Sequence, residues 1–487
     1  MMRPRREQKA DLGQFDSMKM RAFSISGSLA KGDSSRPAYI FALILLGGAF
    51  LIAGGARDDL TSLLFWRPLS TFILAFAIAF YWRQAWQNGR SLMLLCCAIV
   101  ALPALQLIPL PPSLWTALPG RDIIVSIYRD AGMALPWQPL SVAPARTWNA
   151  MFSLAAPLAL LIVALNLDEP RHRKLLLLMI AIGLFSGIVG LVQAIGPTNG
   201  PLYFYRITSN GLAVGLFANR NHQAVFLAMM YPLLAAFLSL MKGRPDQLLF
   251  KRSITFAGAL LLIPLILMSG SRAGFILAPI GILLGFWVYK SPTTHLRSGD
   301  VPNAQRIRYV TYGLIGVFLA VVTIAVLRTS TLDRLIETDS AGELRIQALP
   351  IVMNALDRFL PFGSGLGTFV EVYKIYEPNV LIGEAYFNHA HNDFVELVLT
   401  AGIPGVLLLL WVGALALLSL RSLVRNRRLV VGDKGYSTQV LGRAGFSILT
   451  MLALSSAPDY PLRVPSLMLL GIVAAVWCSA AYRSAQK

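Results

Sequence analysis

Charge is scarce in this sequence. Asp, Glu, Lys and Arg make up 14% of its 487 residues, against about 25% in an ordinary soluble domain. That is too little to cover the surface of a water-soluble chain, and a string of soluble domains is excluded. Cysteine is scarcer still: Cys96, Cys97 and Cys478 are the full set, each inside an apolar run. A disulfide framework and a cysteine metal site are therefore excluded as well. Gly-x-Ser-x-Gly and His-Glu-x-x-His are absent, and no paired carboxylates stand out as a glycosidase site. Neither an internal repeat nor a low-complexity tract is present. The basic first 37 residues lack the short apolar core and small-residue cleavage site of a signal peptide.

What the sequence has in excess is apolar residues, 56% of the chain, with a mean hydropathy of +0.61. They gather in runs near the length that crosses a bilayer, about 17–25 residues. These runs lie at 38–56, 67–82, 91–108, 148–166, 175–195, 222–241, 253–268, 273–289, 309–327, 395–420, 443–457 and 464–482. The pattern predicts an all-α integral membrane protein of about 12 transmembrane helices. The stretch from 254 to 289 is too long for one crossing. Ser269-Gly270-Ser271-Arg272 interrupts it, which reads as a tight turn between two helices. Residues 1–37 form a basic cytoplasmic tail, expected to be disordered. Residues 38–482 are the polytopic domain, and 483–487 return to the cytoplasm.

Charge of one sign supports this threading. With the N-terminus inside, 29 of the 43 Lys and Arg fall on cytoplasmic segments and 14 on the other side. The acids divide 9 and 15, so the net charge is about +20 inside and −1 outside. Topology thus accounts for the formal charge of +19, and no nucleic-acid partner is required. Two outer segments are longer than turns. One, 109–147, is rich in Pro and Trp and is expected at the membrane interface. The other, 328–394, lies between the ninth and tenth helices. It carries a helix-like stretch near 343–360 and then Gly363-Ser364-Gly365-Leu366-Gly367, which reads as a turn, since no strand precedes it as in a nucleotide loop.

The unusual polar residues fall on that same outer face: Asn219-Arg220-Asn221-His222, Arg272, Arg345, His389-Ala390-His391-Asn392-Asp393 and Asp459-Tyr460-Pro461-Leu462-Arg463. Each has a plainer reading. Asn219 or Asn221 caps a helix, Arg220 anchors at the interface, and Arg345 solvates an amphipathic face. His389 and His391 are polar loop residues or metal ligands without a third partner, and Asp459 and Arg463 pair with each other. Arg272 is harder to dismiss, because a permanent charge in a tight turn between apolar helices is costly unless paired or wet. Arginine offers a planar fork of donors matched to phosphate oxygens. A neutral imidazole accepts a proton from a sugar hydroxyl near neutral pH. Two arginines and a histidine at a membrane surface suit attack by a hydroxyl on a glycosyl diphosphate, the arginine charge serving where Mg²⁺ is otherwise needed.

From about 206 to 420 the chain resembles the O-antigen ligase and O-antigen polymerase superfamily of bacterial envelope glycosyltransferases. The resemblance rests on Phe217-Ala218-Asn219-Arg220-Asn221, Ser271-Arg272-Ala273-Gly274, Arg345 followed by Pro361-Phe362-Gly363-Ser364-Gly365-Leu366-Gly367, His389-Ala390-His391-Asn392-Asp393-Phe394 and Thr400-Ala401-Gly402-Ile403-Pro404-Gly405. Asp459-Tyr460-Pro461-Leu462-Arg463 fits the family's last outer turn, and the Pro-Trp loop with Pro139-Leu140-Ser141 is similar too. The order and shared sidedness of these motifs carry the likeness. It implies a metal-independent, inverting glycosyltransferase of the multi-helical membrane type, without cofactor, in the bacterial inner membrane with its site facing the periplasm. The implied donor is a glycan on undecaprenyl diphosphate. The implied acceptor is the lipid A core for a ligase, or a growing glycan for a polymerase. By motif position Arg272 and Arg345 hold the diphosphate. His391, before Asn392, activates the acceptor with Asn392 or Asp393 orienting its ring, and His389 is a substitute. Arg220, Asn221, Asp459 and Arg463 are expected at the substrate. The rival readings are a lipid-linked-glycan transporter and a peptidoglycan glycosyltransferase of the shape-and-division type. The near absence of charge inside the spans disfavours the transporter, which usually places polar groups near the midplane.

Overall fold

The computed structural model describes residues 35–57, 59–243, 245–290, 309–310, 313, 316–317, 320, 340–382, 387–425 and 432–486. Most of the expected span at 309–327 and the first part of the long loop, up to 339, lie outside these residues. The rest is a bundle of helices, as apolar runs must form when their backbone groups cannot turn to water. Among the described residues eight helices are long and apolar enough to cross a membrane. The fold is that of an all-α membrane protein.

The helices follow the hydropathy with instructive departures. The runs at 67–82 and 91–108 fall on two helical stretches that meet at a kink within Leu63–Gln106. At about 1.5 Å per residue the whole length would far exceed one bilayer crossing if straight, but its backbone leaves helical geometry at Gly89. The run at 254–289 divides as expected, into Pro245–Met268 and Arg272–Val288. The helix expected near 343–360 is Ser340–Phe359. The run expected at 395–420 belongs to Asp393–Arg425, but the helix breaks at Gly402, where φ is +59° and ψ is −147°. Only nine residues, from Asp393 to Ala401, precede the break.

The glycine-rich turn makes that break possible. A helix that stops leaves its last carbonyls without partners. Here Ser364 N–H donates to Leu399 O at 3.0 Å and Gly365 N–H to Thr400 O at 2.9 Å. Gln106, buried at the end of the long helix, gives Thr400 O a second donor through Nε2 at 3.0 Å and takes Leu366 N–H on Oε1 at 2.8 Å. After the break Ile403 N–H donates to Pro361 O at 2.8 Å. A Cβ on Gly402 would sit 2.2 Å from Pro361 O, so this position requires glycine. The 361–367 segment is thus a structural turn that caps a half-helix.

At the centre of the bundle stand Arg220–Ala228 and Met230–Leu240, almost wholly buried. Phe226 packs against Phe50 and Phe217, with ring centroids 4.7 and 5.6 Å away. Arg272–Val288 approaches this pair on its small residues. A Cβ added at Gly274 would lie 2.4 Å from Ala224 Cβ, and one at Gly281 would lie 2.6 Å from Ala228 O. Without an aqueous hydrophobic drive, helices in lipid associate through such close contact. The contact brings the N-termini of two helices side by side. A second, smaller core joins Ala348, Val352, Ala355 and Phe359 to Phe369, Val372, Tyr373 and Leu399, seating the Ser340–Phe359 helix against the half-helix.

Candidate active site

Four segments meet at one end of the bundle: the starts of Arg220–Ala228 and Arg272–Val288, the 387–396 stretch and the 456–463 connection. Each helix start is capped by its own sequence. Asn219 Oδ1 accepts from Asn221 N–H at 2.8 Å, Ser271 Oγ accepts from Gly274 N–H at 3.1 Å, and Asn392 Oδ1 accepts from Phe394 and Val395 N–H, both at 3.0 Å. These are ordinary caps, but their side chains also link up. Ser271 Oγ donates to Asn221 Oδ1 at 2.8 Å, and Asn221 Nδ2 donates to Asp459 Oδ2 at 2.9 Å. Both ends of the Asn221 amide are thereby engaged, in tying two helices to the last connection.

Asp459 is 2% exposed, and a buried carboxylate must be heavily compensated. Oδ1 accepts from Tyr460 N–H at 3.0 Å and lies 3.4 Å from His391 Nδ1. That spacing suits an ion pair, but the alignment falls short of a hydrogen bond, leaving His391 Nδ1 buried without one. On the far side His222 Nε2 stands 4.0 Å from Oδ2. Burial works against the Asp459 charge. The contact with His391 and the electrostatic pull of His222, His391 and Arg345 outweigh it and hold the carboxyl below its usual range. Burial pushes the pKa of His391 down against the pull of Asp459, and Arg345 and His389 add to the lowering. His391 is therefore a neutral imidazole at neutral pH, with an ionised carboxylate beside it. Its backbone has φ of +50°, an uncommon conformation for a side-chain-bearing residue and one that gathers at functional sites.

The second histidine has a different setting. His389 Nδ1 is 3.1 Å from Glu396 Oε1, and Ala390 N–H donates to Glu396 Oε2 at 2.9 Å. Arg463 Nη2 lies 3.3 Å from Glu396 Oε1 while its Nε donates to Asp393 Oδ1 at 3.2 Å. Ser456 Oγ donates to Asp393 Oδ2 at 3.0 Å. Burial opposes the Arg463 charge, but Glu396 and Asp393 prevail and raise its pKa. Tyr460 stands between the histidines, with ring centroids 4.5 Å from His389, 4.9 Å from His391 and 5.3 Å from His222. Burial pushes its hydroxyl up to about 12, so it stays protonated.

The sequence-derived residues are distributed as follows. His389, His391, Asn221, Asp459 and Arg463 all belong to this cluster. Arg345 is half-buried on Ser340–Phe359, close enough for its charge to act on His391, Asp459 and Tyr460. Arg220 and Arg272 are the first residues of their helices, half-buried and exposed respectively. Two expectations fail. Asn392 and Asp393 do not orient His391, because the former is spent on its helix cap and the latter on Arg463 and Ser456; the carboxylate beside His391 is Asp459. Asp459 and Arg463 do not pair with each other, since Arg463 turns to Asp393 and Glu396. Glu396 and the central place of Tyr460 were missed. An acid inside an apolar run is costly, and that signal was available for Glu396. Among the described residues no group of three or more His, Cys, Asp and Glu side chains is placed to hold a metal ion.

Residues 257–410 match a family model described as O-Antigen ligase. The match takes in Arg272, Arg345, the glycine-rich turn, both loop histidines and Glu396, and it supports the likeness to the O-antigen ligase superfamily over that part of the chain. No curated protein matches the chain.

Proposed function

We propose that this chain is a membrane glycosyltransferase of the O-antigen ligase type, which moves a glycan from undecaprenyl diphosphate to an acceptor hydroxyl at the periplasmic face of the inner membrane. The observation that carries this reading is the neutral His391 beside the ionised Asp459, within reach of the Arg345 charge. The superfamily match supports the class of reaction. The positive-inside distribution of Lys and Arg supports 12 crossings, with both termini cytoplasmic and residues 109–147 and 328–394 outside.

In the proposed reaction the acceptor hydroxyl approaches His391, which removes its proton as the oxygen attacks the anomeric carbon from the face opposite the leaving group. The new glycosidic C–O bond forms while the bond to the phosphate oxygen breaks. That oxygen keeps the electron pair and departs as undecaprenyl diphosphate, inverting the anomeric centre. Arg272 and Arg345 hold the diphosphate and balance the charge that grows on it, the part a divalent cation plays elsewhere. Asp459 stabilises the imidazolium that forms. Arg220 assists at the donor in this reading, and the lipid A core supplies the acceptor. A polymerase joining repeat units to one another would use the same chemistry. The glycans of a deletion strain separate the two. Long chains retained on undecaprenyl diphosphate mark lost ligation, single repeat units mark lost polymerisation, and an unchanged set of surface and lipid-linked glycans contradicts both.

A further inference from the structure

His222 is a buried titratable group with no part in the reaction just described. It is 2% exposed, and neither of its ring nitrogens has a hydrogen-bond partner among the described residues. Two unmet polar atoms in the core of a bundle are expensive. Any apolar side chain of similar size would fill the same space beside Tyr460 without that cost. Its position gives a reason for the imidazole. His391 lies against Oδ1 of Asp459, at 3.4 Å, and His222 Nε2 faces Oδ2, at 4.0 Å. Asn221 Nδ2 already donates to Oδ2, and Tyr460 N–H to Oδ1. Closing the His222 gap by about 1 Å completes a hydrogen bond. The carboxylate is then bracketed by two imidazoles.

We propose that His222 is a positioning residue: it is the second imidazole partner of Asp459, on the side away from His391, and it shares out the negative charge that Asp459 presents to the base. The donors around Asp459 compete for its charge. Every donor that takes up charge from Asp459 leaves less of it to stabilise a protonated His391. Asn221 and the Tyr460 amide are two such donors, and His222 is the third. The other groups acting on His391 are Arg345 and His389, besides Asp459 itself. Tyr460 presents a ring edge to it at 4.9 Å and Phe387 another at 6.0 Å. Glu396 and Asp393 share the one Arg463 guanidinium behind His389. Removing the His222 donor therefore makes His391 easier to protonate, and the neutral form it needs as a base is lost at a higher pH.

The inference rests on His391 being the base, and the test separates the two ideas. Full-length protein is reconstituted in vesicles with lipid-linked glycan extracted from a strain lacking this chain and with that strain's lipopolysaccharide as acceptor. Turnover is followed across pH for the wild type, His222→Phe, His222→Gln and His391→Ala. We expect the acidic limb of the profile to move up by about half a unit to one unit in His222→Phe, the size of one net hydrogen bond. It should return towards its original place in His222→Gln, whose amide restores a donor. Should the larger ring unsettle the bundle, His222→Leu asks the same question. A lower rate with the limb unmoved in both His222→Phe and His222→Leu overturns the inference and leaves His222 a packing residue. Wild-type turnover in His391→Ala overturns the reading beneath it instead.

Discussion

The two loop histidines are separated by one residue and have opposite surroundings. His389 is closed into a set of charges that satisfy one another: its ring meets Glu396, Glu396 meets Arg463, and Arg463 meets Asp393. His391 faces Asp459 across 3.4 Å with no aligned hydrogen bond, on a backbone at φ of +50°, and with a second unpartnered imidazole on the far side of the carboxylate. A network whose charges are already paired has little left to offer a substrate and much to offer the fold. A pair left loose is free to tighten when a substrate arrives. In the proposed reaction this difference gives His389 and its acids the part of holding the loop on the half-helix, and His391 the chemical one.

The sharpest way to break the comparison is to remove what makes one side reactive. Arg272→Ala and Arg345→Ala should each abolish transfer while the protein still inserts, read as glycan product against membrane content. Lysine at either position should rescue poorly, because a point charge cannot reproduce a fork. Near-normal activity with lysine at both would place the diphosphate elsewhere. Next in size, Asp459→Asn should slow turnover by about 10²-fold, at the low end of what general-base help contributes. It should also move the acidic limb to lower pH. The carboxylate favours the protonated ring, and without it burial, Arg345 and His389 act unopposed, so protonation needs more acid. That shift is opposite to the one expected for His222→Phe, so the pair of profiles gives a signed test.

On the other side of the comparison the damage should be to stability. Glu396→Gln removes the charge of a buried carboxylate and leaves the half-buried Arg463 to Asp393 alone. Breaking a fully buried pair costs roughly 3–5 kcal/mol, and the cost here is expected to be smaller because the Arg463 side chain is 25% exposed. Thermal unfolding of the detergent-solubilised protein should begin at a clearly lower temperature than in the wild type, and unchanged unfolding with lost turnover would move Glu396 into the chemistry. The smallest expected effect is none: transfer should survive EDTA, because in the proposed reaction the arginines take the cation's part. Activity lost in chelator and regained with Mg²⁺ or Mn²⁺ would contradict that mechanism.

How much of this was legible beforehand depends on how local the signal is. Hydropathy located the helices, and Ser269-Gly270-Ser271 marked the turn between two of them. Asn219 announced its cap through residue type and position. The break at Gly402 was missed because Thr400-Ala401-Gly402-Ile403-Pro404 reads as a tolerable interruption in an apolar run. What makes it a break is the capping of Leu399 and Thr400 by a turn some 35 residues earlier. Asp459 was singled out as polar and outward, but its partners, His391 and Asn221, lie 68 and 238 residues away in sequence. Spacing within one segment carries no information about such pairs. The adjacent Asn392 and Asp393 looked like the natural partners of His391, and the helix they begin claims them first.

The central claim is that His391 takes the acceptor's proton and His389 does not. It is tested most directly by measuring, on one reconstituted sample of each, donor binding and the rate of glycan transfer for His391→Ala and His389→Ala. The account predicts transfer slowed by about 10²–10⁴-fold in His391→Ala with donor still bound, and a milder loss in His389→Ala. Normal transfer in His391→Ala with none in His389→Ala would contradict it and exchange the roles of the two histidines.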